Sequence, residues 1–204
     1  MWVIQVHSQK SMLLYVGVVA LSMFSHVSAH AIEVHPTAKQ VQTALDEGKE
    51  AAQKQRPPDS FYVWFGVSDH VHPRGFLVTK IGALSVMATH MALRGVEPSQ
   101  ADVTQILEDK TMLVSTVILG DTRNFAVNSY MVLEQGGKII KPVTVRFDAQ
   151  ADRSAVWPMN PKFKAKVVAS YNYADFDPTA ETTITVYPAT GGEASFSMKF
   201  LDIR

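Results

Sequence analysis

Asp69-His70-Val71-His72-Pro73 is the stretch of this 204-residue chain whose residue types come nearest to chemistry. Histidines at i and i+2 on an extended segment project to the same side, so both imidazoles can reach one metal ion. Asp69 would add an oxygen ligand, and the distant His90 or His35 a further nitrogen. Zinc or copper is the metal that such a set takes. The spacing fixes no third ligand, however, and specific sites need a defined ligand number and supporting partners. Ser68-Asp69-His70 and Pro73-Arg74-Gly75 therefore also read as a polar loop between two strands. Asp69, His70 and His72 are the metal-ligand candidates that follow.

Three other clusters carry metal-ligand or ligand-binding residue types. Met87-Ala88-Thr89-His90-Met91 combines thioethers with an imidazole, a set that suits copper(I). Met87 and Met91 share a face on a strand or on a helix, but on a strand His90 faces away from both. Methionine at this spacing is also ordinary core filler. Asp175, Asp177 and Glu181 offer oxygen ligands for calcium, yet the turn glycine and full acidic series of an EF-hand are missing, and Asp177-Pro178 is a routine turn opener. Tyr62, Trp64, Trp157, Tyr171 and Tyr173 would form a sugar or peptide platform if exposed, although strand aromatics more often pair or pack. Trp157 differs from the rest. It lies in the loop-like, two-proline stretch 154–161, and is the candidate for a binding surface.

Several chemistries are absent from the residue inventory. With no cysteine there is no disulfide framework, thiolate metal site or thiol nucleophile. No Gly-x-Ser-x-Gly, P-loop or Gly-x-Gly-x-x-Gly occurs, so serine hydrolysis and nucleotide binding have no local support. Nineteen basic against nineteen acidic side chains remove the usual electrostatic reason to expect nucleic acid. No catalytic set is named, and no cofactor is expected beyond zinc or copper at the histidine pair.

The N-terminus carries an address. Lys10 is the sole Lys, Arg, Asp or Glu in the first thirty-two residues and precedes the apolar run 11–24. A polar stretch follows, with Ala29 and Ala31 in an A-x-A arrangement and Val27-Ser28-Ala29 as a second option. The apolar run is shorter than the roughly 20 residues that a spanning helix needs. Residues 1–31 are thus expected to be a signal peptide cleaved near Ala29 or Ala31. The product is an exported, periplasmic or secreted chain with no membrane insertion. No second long apolar run follows.

The remaining pattern must position the candidates. Residues 36–56 read as a helix, with Val41, Leu45 and Ala52 at helical spacing, a weak middle at Gly48 and a stop at Arg56-Pro57-Pro58. From Phe61 the period changes to two, over Phe61–Val67, Val143–Phe147, Val167–Tyr173, Thr182–Tyr187 and Ala194–Phe200. Met112–Leu119 and Phe125–Gln135 are apolar on both faces and predict central strands. Gly136-Gly137 and Gly191-Gly192 supply hairpin turns. Ser99 and Asp102 form a capping pair before a short helix. Residues 81–93 fit either period and are read as a strand. The expectation is a mainly β chain of eight or nine strands. It is an antiparallel β-sandwich, immunoglobulin-like or jelly-roll-like, with an N-terminal helix (32–58) packing on the main domain (59–204) and one short inserted helix. A binding or envelope-structural role follows, with an envelope protein or a glycan as partner.

Overall fold

The computed structural model describes residues 31–203. The expected leader lies outside them except for Ala31. Among the described residues no helix is long and apolar enough to cross a membrane.

The first helix, α1 (Ala38–Gln53), starts where Thr37 accepts from the Gln40 backbone while Gln40 Oε1 accepts from the Thr37 N–H at 2.8 Å, a capping box. It ends at Gln53, short of the expected 56, because Gln55 at φ +53° turns the chain and the Arg56 N–H donates back to Ala51 O ahead of the two prolines. A single 3₁₀ turn (Pro58–Phe61) then leads into β1 (Val63–Gly66). A seven-residue loop returns the chain through β2 (Arg74–Val78).

Residues 81–93, read above as a strand, are instead α-helical within α2 (Lys80–Leu93). Thr79 supplies the decisive local signal, its Oγ1 accepting from the Gly82 N–H at 3.0 Å as an N-cap. The apolar period misleads because α2 is covered from more than one side, by α1, by the 3₁₀ turn and by α3 (Gln100–Glu108). A helix apolar nearly all round carries no clean 3.6-residue stripe. The third helix opens on the expected Ser99–Asp102 capping box.

Eight further strands follow: β3 (Thr111–Gly120), β4 (Tyr130–Gln135), β5 (Lys138–Ile140), β6 (Thr144–Phe147), β7 (Asp152–Arg153), β8 (Phe163–Asn172), β9 (Glu181–Tyr187) and β10 (Ala194–Lys199). The strand expected from Phe125 begins only at Tyr130. Phe125 and Ala126 are buried in a turn, where the Phe125 ring presses so closely on Gly120 that a Cβ there would meet it at 2.4 Å. Gly136 and Gly137, both at positive φ, make the two-residue β4–β5 turn.

Every pairing is antiparallel. One sheet runs β1-β2-β3-β8-β6, with β7 also on β8, and the other runs β10-β9-β4-β5. A single core joins them, filled by Leu77, Met112, Val114, Ile118 and Val167 from the first sheet and Met131, Leu133, Ile184 and Val186 from the second. Among the described residues the chain is therefore mainly β, with two antiparallel sheets and three α-helices rather than two.

The helices build a smaller core of their own around Ala44, Leu84 and Val103. In it α1 lies on α2, at a crossing tight enough that a Cβ on Gly48 would meet the Ser85 carbonyl oxygen at 2.4 Å. Ser85 Oγ donates to Ala44 O and Thr89 Oγ1 to Gly48 O, each at 3.0 Å. Since α2 leaves β2 after Val78 and α3 ends just before Thr111 of β3, the helices gather at that end of the first sheet. The β1–β2 loop lies at the other end.

Candidate functional site

Gly66 sets the start of that loop. Its φ of +82° favours glycine, and a Cβ would stand 2.8 Å from the Pro73 carbonyl oxygen where the two arms of the hairpin meet. Within the loop Asp69 acts as a turn anchor. Its Oδ1 accepts from the backbone N–H groups of Val71 and His72 at 2.9 and 2.8 Å, and its Oδ2 lies 2.6 Å from His72 Nδ1. The His72 hydrogen bond, followed by the Val71 N–H, holds the Asp69 carboxyl below the ordinary carboxylate range. His70 and His72 both face one cleft of about 540 Å³.

The floor of the cleft is the outward face of the first sheet. Leu77, Ile118 and Val167 point into the core, so alternation turns Arg74, Val117, Leu119, Lys164 and Lys166 outward. Register sets them in rows. Arg74 pairs with Val117 and Val117 with Lys166, while Leu119 pairs with Lys164 and Lys164 with Asp152. Neighbouring strands lie about 4.8 Å apart, which puts Arg74 and Lys166 about 10 Å apart across Val117. Asp148 closes one side, its carboxylate accepting from the Lys166 N–H at 2.7 Å.

Arg153, Ser154 and Ala155 line another part of the cleft wall, and the loop they open carries Trp157 just outside the lining. Ser154 ties its loop shut, its N–H donating to Lys162 O at 2.9 Å and its hydroxyl to Pro161 O at 2.5 Å. The Trp157–Pro158 and Asn160–Pro161 peptide bonds are cis. The indole packs against buried Phe163 with ring centroids 5.4 Å apart, and 41% of Trp157 remains exposed. The Arg153 guanidinium, which lines the cleft, sits 4.8 Å above the Trp157 ring.

The structure thus brings the histidine loop and the tryptophan loop, some eighty-five residues apart in the chain, to two sides of one cleft. It does not bring in His35 or His90. His35 lines a separate cavity of about 560 Å³ at the helical end with Lys80, Leu107 and Tyr173, and His90 is exposed near the end of α2. In that cavity the Lys80 ammonium donates to Leu107 O, and burial lowers its pKa. Among the described residues no three His, Asp or Glu side chains stand together as a metal-binding group. Asp177 is engaged in its turn, Oδ1 accepting from the Thr179 N–H and hydroxyl at 2.8 and 2.6 Å. Of the strand aromatics, Tyr171 and Tyr173 are buried. Trp64 is 48% exposed, beside Phe76 and under the Arg74 guanidinium at 5.8 Å.

Arg74, Arg153, Lys164 and Lys166 were not singled out in the sequence. A signal was there for two of them, since Lys162, Lys164 and Lys166 alternate with Phe163, Ala165 and Val167 along one strand. Among the described residues none of these four cations has a carboxylate within 4.0 Å, whereas Asp69 and Asp148 are occupied by donors of the chain itself.

The sequence matches no family model, and a search of curated proteins finds no match. Solved structures give partial likenesses. A chain of the archaellum periplasmic stator protein complex FlaF and FlaG from Sulfolobus acidocaldarius aligns at 15% identity and a TM-score of 0.30, over 44% of this chain and 77% of that one. The archaellum periplasmic stator protein FlaG from the same organism aligns at 13% identity and a TM-score of 0.30, over 44% and 86%.

Proposed function

We propose that this chain is an exported, non-catalytic binding protein, a β-sandwich whose cleft at the β1–β2 loop takes an anionic glycan. One observation carries the reading: four cations without a carboxylate within 4.0 Å among the described residues line a single cleft in which two of the three carboxylates, Asp69 and Asp148, accept from donors of the chain itself and Asp152 is the third. Such groups await an external anion, and their spacing across the sheet suits a ligand with more than one charge. Val117 and Leu119 supply an apolar floor between them, and the exposed indoles of Trp157 and Trp64, outside the lining beside Arg153 and Arg74, offer faces to sugar rings that extend beyond the cleft. Export rests on the apolar run 11–24 and the small residues after it.

The test is calorimetric titration with carboxylated, sulfated and neutral oligosaccharides and with an acidic peptide. The acidic saccharides are expected to bind, with affinity falling as salt rises and lost in the Lys164→Ala/Lys166→Ala variant. Binding of the peptide alone, or of neutral sugars equally well, would overturn the glycan reading. A second reading has one observation in its favour. The Asp69–His72 hydrogen bond at Nδ1 is the kind that orients an imidazole for metal ligation through Nε2, in a cleft that His70 also lines. Stoichiometric zinc in native mass spectra, lost in His70→Ala and His72→Ala, would favour it. The same spectra give the mass of the exported chain and so test cleavage near Ala29 or Ala31.

A further inference from the structure

The helical form of residues 80–93 changes the geometry of a cluster that the cleft does not use. On a strand His90 would oppose Met87 and Met91. On α2 Met87 stands one turn before both His90 (i+3) and Met91 (i+4), so the Cβ of each is about 5–6 Å from that of Met87, which lies between them round the helix. We infer that Met87, His90 and Met91 form a soft-metal site that takes copper(I) through two thioether sulfurs and one imidazole nitrogen.

Each element of the site has a physical reason. Helical side chains lean toward the N-terminus, so His90 and Met91 extend back over the turn that carries Met87. Ala88 and Thr89, between them in sequence, are fully buried, and Thr89 is committed to α1, so they leave this face to the other three. Met87 is half-buried against the small helical core and Met91 is half-buried, whereas His90 is exposed. That gives an apolar thioether pair with an imidazole at its solvent edge. Methionine has three flexible torsions and a polarizable sulfur, so both sulfurs can swing to a common point. His90 and Met91 occupy the last turn of α2, whose carbonyl end favours a cation. Among the described residues His90 makes no ion pair that would compete. Thioether sulfur is a poor ligand for zinc and a good one for copper(I), so the ligand set itself sets the preference. Binding requires no change of oxidation state, because the metal enters and stays as the monovalent ion.

The experiment uses the full chain with carbon-13 in its methionine methyl groups and silver(I) as a redox-stable stand-in for copper(I). At one equivalent the Met87 and Met91 methyl signals and the His90 ring signals are expected to shift, while those of the other seven of nine methionines stay in place. Zinc should leave both methyl signals unmoved. Absence of a shift at Met87 and Met91, or saturation of other methionines or of His70 and His72 first, would overturn the assignment. The Met87→Leu/Met91→Leu variant conserves volume and so the fold. In it the silver-induced shift of His90 should disappear, and persistence of that shift would reduce the site to a lone imidazole and overturn the thioether set.

Discussion

Thr89 Oγ1 donates to the backbone carbonyl oxygen of Gly48 at 3.0 Å, across the closest approach of α1 and α2. The bond exists because position 48 has no side chain. A Cβ there would lie 2.4 Å from Ser85 O and 2.6 Å from the Ala88 Cβ, and backbone atoms cannot swing aside.

Gly48→Ala is therefore expected to destabilise the chain. Alanine improves helix propensity by about 1 kcal/mol, but overpacking of this kind costs about 1–3 kcal/mol, and the second effect wins. Urea denaturation followed by circular dichroism measures it. An unchanged or raised midpoint would mean that the helices do not cross as closely as described.

Tyr171 should respond in the opposite sense. Its hydroxyl is fully buried and has no hydrogen-bond partner among the described residues, and burial pushes its ionisation far upward. An unsatisfied buried hydroxyl costs about 1–3 kcal/mol. Tyr171→Phe removes that group without changing the ring, so the melting temperature should hold or rise. A marked fall would reveal a hydrogen bond to the hydroxyl.

The β1–β2 loop should be sensitive to acid. The folded Asp69 carboxyl is held below its ordinary value of 3.8 by His72 and the Val71 N–H. A lowered folded value gives stability that is present above the ordinary carboxylate value and is lost as pH falls through the folded one. The amide signals of Val71 and His72 should therefore titrate with a midpoint below 3.8. Asp69→Asn should abolish that transition. A midpoint at or above the ordinary value would contradict the anchoring role.

Trp157 provides an optical readout of the cleft. An anion that draws Arg153 toward itself must alter the contact between guanidinium and indole, now 4.8 Å apart. Ligand binding should change tryptophan emission in wild type and in Trp64→Phe, and the change should be smaller in Trp157→Phe, where only Trp64 under Arg74 still reports. An undiminished signal in Trp157→Phe would place the ligand away from Arg153.

Much of the fold was legible in the sequence because one face of most strands is wet. Ala194–Lys199 and Thr144–Phe147 alternate visibly, and the Ser99 cap announced α3. Legibility failed where burial came from several sides at once, as along α2, and where a buried turn imitated a strand, at Phe125 and Ala126. The site was legible only in halves. His70, His72 and Trp157 stood out by residue type, but nothing local in the sequence says that β2, β3 and β8 lie side by side. The cations Arg74, Lys164 and Lys166 acquire a common meaning only through that register. By propensity alone Gly48 is a weak point in α1, yet it is the contact that lets α1 seat on α2.

The pairing of β3 with β8 also has a consequence in time. Its closest-spaced register pair joins Gly120 to Phe163, and its most distant joins Thr111 to Asn172. In a chain that emerges N-terminus first, the central ladder cannot begin to zip until residue 163 of 204 is out. Isolated early hairpins such as β1–β2 are marginal by themselves, and long-range pairing of this kind is slow. Pulling-force profiles of stalled nascent chains should accordingly show their main rise only beyond that point. Until then the strands of the first sheet are largely an open thread, the state in which a chain can be passed lengthwise through a narrow channel.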